Sequence, residues 1–154
     1  NDEGKIAQKD YYYMNEQIAV LGSIVKLEYV NDKIVKSNVF NPQVQLTQYQ
    51  NFFYDEKGNV SCEEFFICYN NDENGTLITR TEYEYDDKIN PFKVFEVEGS
   101  PGIYSNNNNI LKQKNIDYYE GEEQVRTVVN TYGYNDLGYP VMCNNVVYTY
   151  GVDE

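Results

Sequence analysis

The chain has 154 residues, with 25 Asp and Glu against 12 Lys and Arg, no His, no Trp and 17 Tyr, for a formal charge of -13. One domain is the default at this length, and the charge excludes nucleic acid and anionic membrane surfaces as partners, because both select clustered Lys and Arg. The absence of His removes Ser-His-Asp and Cys-His nucleophile systems, a histidine general base and the common zinc sites, and no cofactor is expected.

In chain order, residues 1–10 read as a polar, loose tether and residues 11–154 as a single β domain. The start at Asn1 without Met is that of a trimmed mature protein. Tyr11–Met14 is apolar enough to be ordered, as a short helix or a strand. Ile18–Val30 alternates, with Val25, Leu27 and Tyr29 on one face, and Asn31-Asp32-Lys33 turns it back through Ile34–Phe40. Pro42 marks a bend. Gln45–Tyr54 pairs through the Asp55–Gly58 turn with Val60–Tyr69, whose second half is apolar on both faces, as in a central or covered strand. In Thr76–Tyr85, Leu77, Thr79, Thr81, Tyr83 and Tyr85 face inward while Arg80, Glu82 and Glu84 face water. Asn90-Pro91-Phe92 breaks the pattern before a short strand, Lys93–Val97. Ser105–Asn109 is the longest loop signal. Ile110–Tyr119 and Gln124–Tyr134 form a hairpin across 120–123, and Tyr139–Tyr150 ends the sheet. Ala occurs twice, at Ala7 and Ala19, so helix formers are scarce and β formers abundant. The fold class is therefore all-β, an antiparallel meander of about nine or ten strands curved into a half-barrel or barrel.

The recurring unit is a strand ending in aromatic residues, followed by an acidic or amide turn that in most copies includes Gly. Copies are Phe52–Val60, Ile67–Gly75, Tyr83–Lys88 and Tyr132–Val141. In these turns Asn and Asp bond back to their own backbone, and Gly takes positive φ without a Cβ clash.

Three cysteines, Cys62, Cys68 and Cys143, leave at least one thiol unpaired in a monomer. Cys62 and Cys68 lie roughly 20 Å apart on one extended strand, beyond disulfide reach. Either pairs with Cys143, or all three are buried free thiols. The acidic turns Asp55-Glu56, Asp72-Glu73, Asp86-Asp87 and Asp136 match no calcium-loop spacing, so no metal site is expected. Glu63-Glu64 and Glu122-Glu123 point to opposite faces of their strands and Glu82 and Glu84 to the open face, which argues against a glycosidase pair. Asn59 and Asn74 fit the glycosylation pattern but stand where turn chemistry already calls for Asn.

The tyrosines have two readings. As core they stack across strands and fill an interior short of Trp and Leu. As a site they offer flat area with polar tips: Tyr83, Tyr85, Tyr132 and Tyr134 then line the concave face, and Phe92 and Tyr104 form a lid over one end.

Phe52–Val60 resembles the YD (RHS-type) hairpin repeat of bacterial cell-surface proteins. The run Tyr83–Lys93, the Asn106–Asn109 loop and Tyr134–Val141, in that order, resemble an uncharacterised family of secreted lipoproteins from gut anaerobes of the Bacteroides type, over about residues 50–150. The resemblance implies a curved, half-barrel-like antiparallel sheet, an address in the periplasm, the outer membrane or on the cell surface, and membrane association through an N-terminal lipid anchor alone. Some members have been guessed to bind lipid, and no catalytic residues come with the family. The functional expectation is a non-catalytic binding module for a lipid-like apolar ligand or a glycan; a structural or adhesive surface module that binds other proteins comes second, and an enzyme third.

Overall fold

The computed structural model describes residues 4–70, 72–96, 99–102 and 104–151. Eight strands form one antiparallel meander in which each pairs with its sequence neighbour: β1 (Gln8–Asn15), β2 (Ile18–Val30), β3 (Lys33–Phe40), β4 (Leu46–Tyr54), β5 (Val60–Ile67), β6 (Thr76–Ile89), β7 (Asn108–Tyr119) and β8 (Glu122–Val129). A second sheet holds β9 (Tyr132–Tyr134), β10 (Pro140–Cys143) and β11 (Val146–Val147), with β10 in the middle.

The turns have the expected chemistry. Asp55 Oδ1 accepts from Asn59 N at 2.8 Å and Gly58 sits at φ +91°. Asn135 Oδ1 accepts from Leu137 N and Tyr139 N at 3.1 and 3.0 Å, and Gly138 sits at φ +81°. The same side-chain acceptor before the same left-handed Gly turns both hairpins.

The large sheet is open rather than closed into a barrel, with β1 and β8 as its edges. Closure would bury one residue in two along every strand, yet all eight residues of β8 and seven of the eight in β1 are exposed. Register shifts between β1 and β7 place bulges in the sheet, which bend strands and increase twist.

Several boundaries differ from the sequence reading. Tyr11–Met14 is strand, and that strand begins at Gln8, inside the stretch expected to be loose. Ile6 already packs on the core and Ala7 O accepts from Leu27 N, because a half-apolar Ile6-Ala7 beside β2 gains more from pairing than from water. The short strand expected at Lys93–Val97 is instead a 3₁₀ turn, Pro91–Phe95. Asn90 caps it by accepting from Phe92 N at 3.0 Å, and Pro91 supplies the helix-compatible φ; residue 97 lies outside the described residues. The long strand expected through Tyr134 divides at 130–131, where the chain leaves the large sheet for the small one. All three cysteines are free thiols, Cys62 buried and the other two half-buried.

The core lies on one face of the large sheet: Leu27, Ile34, Phe52 and Val60, with Ile6, Val25, Tyr29, Tyr54 and Tyr83 packed around them. Val60 is 0% exposed. The connection between β6 and β7 crosses this end of the face. Glu63 pairs across strands with Phe52 and Thr81, so beyond the core the same face turns polar.

Candidate functional site

The turn after β2, the turn after β4 and the β6–β7 connection gather at one end of the sheet. Asn59 joins two of them. Its Oδ1 accepts from Asn107 N (2.8 Å) and Asn108 N (3.0 Å), and its Nδ2 donates to Asp55 Oδ2 (2.9 Å) and Asn108 Oδ1 (3.0 Å). Asn106 Oδ1 accepts from Val60 N at 2.8 Å. Asn109 donates from both nitrogens to Asp86, at 3.0 and 3.1 Å. Asn59, Asn106 and Asn109 are buried. The asparagine run that reads as the longest loop is thus a polar pin whose last two members already belong to β7; buried amides persist because each finds partners. Burial of Asn59 also removes it as a glycosylation acceptor.

Between this pin, the sheet face and Gly99, Ser100, Pro101 and Ser105 lies a cleft of about 450 Å³. Its floor is Tyr29, Ile34 and Tyr54. Both tyrosines are tied down: Tyr29 Oη donates to Ile6 O at 2.7 Å and Tyr54 Oη to Ile34 O at 2.8 Å. Burial, then Glu63 and Glu96, push the Tyr54 phenol up to about 12, so it stays neutral. Lysines stand over both rings, Lys33 Nζ 4.7 Å from the Tyr54 centroid and Lys5 Nζ 5.6 Å from that of Tyr29. Lys5 also pairs with Asp32. Lys57 and Lys93 complete the basic wall, with Glu56 and Glu96 as the other acids. Asn107 binds both neighbours, accepting from Lys93 Nζ and donating to Lys57 O at 2.6 Å.

The six residues singled out from the sequence fall elsewhere. Tyr83 and Tyr85 are neighbours on β6, with ring centroids 6.2 Å apart, and line a shallower recess with Asp55, Ser61 and Asp86. Tyr85 Oη donates to Val60 O at 2.6 Å and Tyr83 Oη to Glu63 Oε1 at 3.3 Å. Burial raises both phenols, and burial also raises the Glu63 carboxyl against the lowering effect of its hydrogen bonds from Tyr83 and Gln50. Tyr132 and Tyr134 belong to the small sheet, and Tyr134 Oη donates to Asp86. Phe92 packs edge-on against Tyr148, centroids 5.5 Å apart. Tyr104 is exposed on the connection. Asp86 joins the two tyrosine pairs, but no described cavity contains all six.

Of the carboxylates considered for hydrolysis, Glu63 and Glu64 do point to opposite faces. Glu64 and Glu82 bind Arg80 on the far face, where Lys114 and Lys112 pair with Glu82 and Glu84. Among the described residues no cluster of Cys, Asp and Glu is arranged to hold a metal ion.

The cleft residues were not anticipated because Lys5, Lys33, Lys57, Lys93 and Asn107 come from five separate stretches. One signal was present: Lys33 and Lys57 each follow an acidic turn, and in a meander those two turns share an end of the sheet.

No protein-family model matches the chain, and no curated protein matches its sequence. Among solved structures it is similar to a DUF3836 family protein from Parabacteroides distasonis, at 16% sequence identity and TM-score 0.46, covering 79% of this chain and 92% of that one.

Proposed function

We propose that this domain is a non-catalytic module of the cell envelope that binds a glycan in the cleft between the sheet face and the described lining residues of the β6–β7 connection, Gly99 to Pro101, Ser105 and Asn107. The observation that carries the reading is the make-up of the cleft: two immobilised tyrosines on the floor, with lysine, asparagine and serine groups around the rim. Saccharides are held by this combination of flat apolar area and convergent polar groups. A lipid chain would strip water from four lysines without replacing their hydrogen bonds, a desolvation that costs more than the small apolar floor returns. The glycan is therefore favoured over the apolar ligand. The envelope address and lipid anchor rest on the resemblance of Tyr83–Lys93 and Tyr134–Val141 to secreted lipoproteins.

The test is retardation in gels containing plant and host polysaccharides, for the wild type and for Ser100→Trp. Ser100 is exposed at the rim, so the indole fills the cleft without entering the core. Retardation by one of the polysaccharides, lost in the variant at unchanged Tm, is the expected result; retardation that survives in the variant places binding elsewhere.

One observation favours the adhesive reading instead. Tyr12, Tyr13, Met14 and Ile18 are exposed along the β1 edge and its hairpin, where an unpaired strand can accept a partner's. That reading predicts protein association indifferent to Ser100→Trp.

A further inference from the structure

We infer that the ligand of this cleft is an anionic saccharide, one that carries carboxylate or sulfate groups, with Lys33 and Lys57 as its charge-reading residues; the inference rests on the glycan-binding reading above. The chain carries 25 acidic and 12 basic side chains, yet the cleft gathers four lysines against Asp32, Glu56 and Glu96. Asp32 is matched by Lys5. Lys33 and Lys57 make no ion pair with any described residue, although Asp32 and Glu56 precede them in the sequence. Outside the cleft, Arg80, Lys88, Lys112, Lys114 and Arg126 are each paired with a carboxylate, while Lys26 and Lys36 sit over the Phe40 and Tyr49 rings and Lys9 donates to Gly99 O.

The geometry groups these cations with a neutral donor on one wall of the cleft. A Cβ placed on Gly58 would meet Lys33 Nζ at 3.1 Å and Asn107 Nδ2 at 3.2 Å. The missing side chain therefore lets the ammonium of β3 and an amide of the β6–β7 connection lie close together against the turn backbone, on the wall of the cleft. The Tyr54 ring beneath Lys33 holds its ammonium over the floor, and Asn107 is fixed by Lys57 O and Lys93. An ammonium beside a neutral amide donor suits an acidic oxygen, because charge-assisted hydrogen bonds are stronger than neutral ones. Repulsion from the remaining acidic surface does not cancel this at physiological salt, where screening acts over about 8 Å and contacts inside the cleft are shorter.

The experiment measures binding to immobilised polysaccharides at 0.15 M salt. Polygalacturonate supplies carboxylates, chondroitin sulfate supplies both groups, dextran sulfate supplies sulfates, and fully methyl-esterified polygalacturonate, dextran and mannan are neutral. Three proteins are compared: wild type, K33Q/K57Q, and K88Q/K112Q, which removes the same charge outside the cleft. The inference predicts binding to at least one anionic polymer. That binding should be weakened about tenfold or more in K33Q/K57Q, the loss expected when charge-assisted contacts become neutral ones, and unchanged in K88Q/K112Q. The carboxylate and sulfate arms then tell which acid is read. Binding to neutral polymers alone, or equal binding to polygalacturonate and its methyl ester, overturns the anionic inference and leaves the glycan reading standing. Equal losses in both double variants also overturn it, since net charge rather than the cleft would be responsible. Binding to none of the polymers overturns both.

Discussion

Asn59 shows how one amide organises an end of this protein. It is fully buried and accepts from two backbone N–H groups of the β6–β7 connection while donating to Asp55 and Asn108. Asn59→Ala leaves the two N–H donors without a partner, at about 1–3 kcal/mol each, and Tm should fall by roughly 5–15 °C for a chain of this size. A shift under about 2 °C in a thermal melt would mean that the connection is held by something else. Asn59 and Asn106–Asn109 also mark where reading residues one at a time misleads. Asn in a run has the composition of a loop, and only the spatial meeting of Asn59, Asp86 and Val60 N turns the run into buried structure. The tyrosines carry the same ambiguity: a side chain with a phenol reads either as core or as site, and Tyr85 both donates to Val60 O and lines a recess beside Tyr83, which packs on the core.

At the scale of elements, much was legible. Alternation in Ile18–Val30, Val60–Tyr69 and Thr76–Tyr85 identifies β2 and the starts of β5 and β6, because a half-buried strand imposes period 2 on its own sequence, while β5 ends two residues earlier, at Ile67, and β6 runs four further, to Ile89. The doubly apolar end of Val60–Tyr69 fits the central place of β5 in the sheet. What periodicity does not carry is the sheet to which a strand belongs. Tyr132-Gly133-Tyr134 repeats the pattern of Tyr83-Glu84-Tyr85, yet β9 pairs with β10 instead of extending β8. The small sheet is tied back through the Tyr134 hydroxyl to Asp86 and through Phe92 against Tyr148. Tyr134→Phe removes the first tie, a bond to a charged acceptor worth about 1.5–3 kcal/mol. Amide exchange in β9 and β10 should then quicken by at least about tenfold while β4–β6 keep their protection. Equal acceleration in both sheets would show that they open as one unit.

For the whole molecule, the open meander leaves two long edges and gathers its connections at one end, and both consequences bear on function. Both edges are exposed; β1 carries a bulge at Tyr11/Tyr12 and apolar side chains that a partner strand could cover, while β8 pairs with β7 in unbroken register. The gathered turns build a cleft from residues that lie far apart in sequence, so the strands could be read from the chain but the cleft could not. The direct test of that cleft is a ¹⁵N–¹H titration of the full chain with a polysaccharide fragment that retards it in the gel assay. The account predicts that the amides shifting most are those of Lys33, Tyr54, Lys57, Gly58, Ser100 and Asn107, with the β1 edge and the Tyr132–Tyr134 strand unmoved; shifts centred on β1, on β9 or on the Tyr83–Tyr85 recess would contradict it.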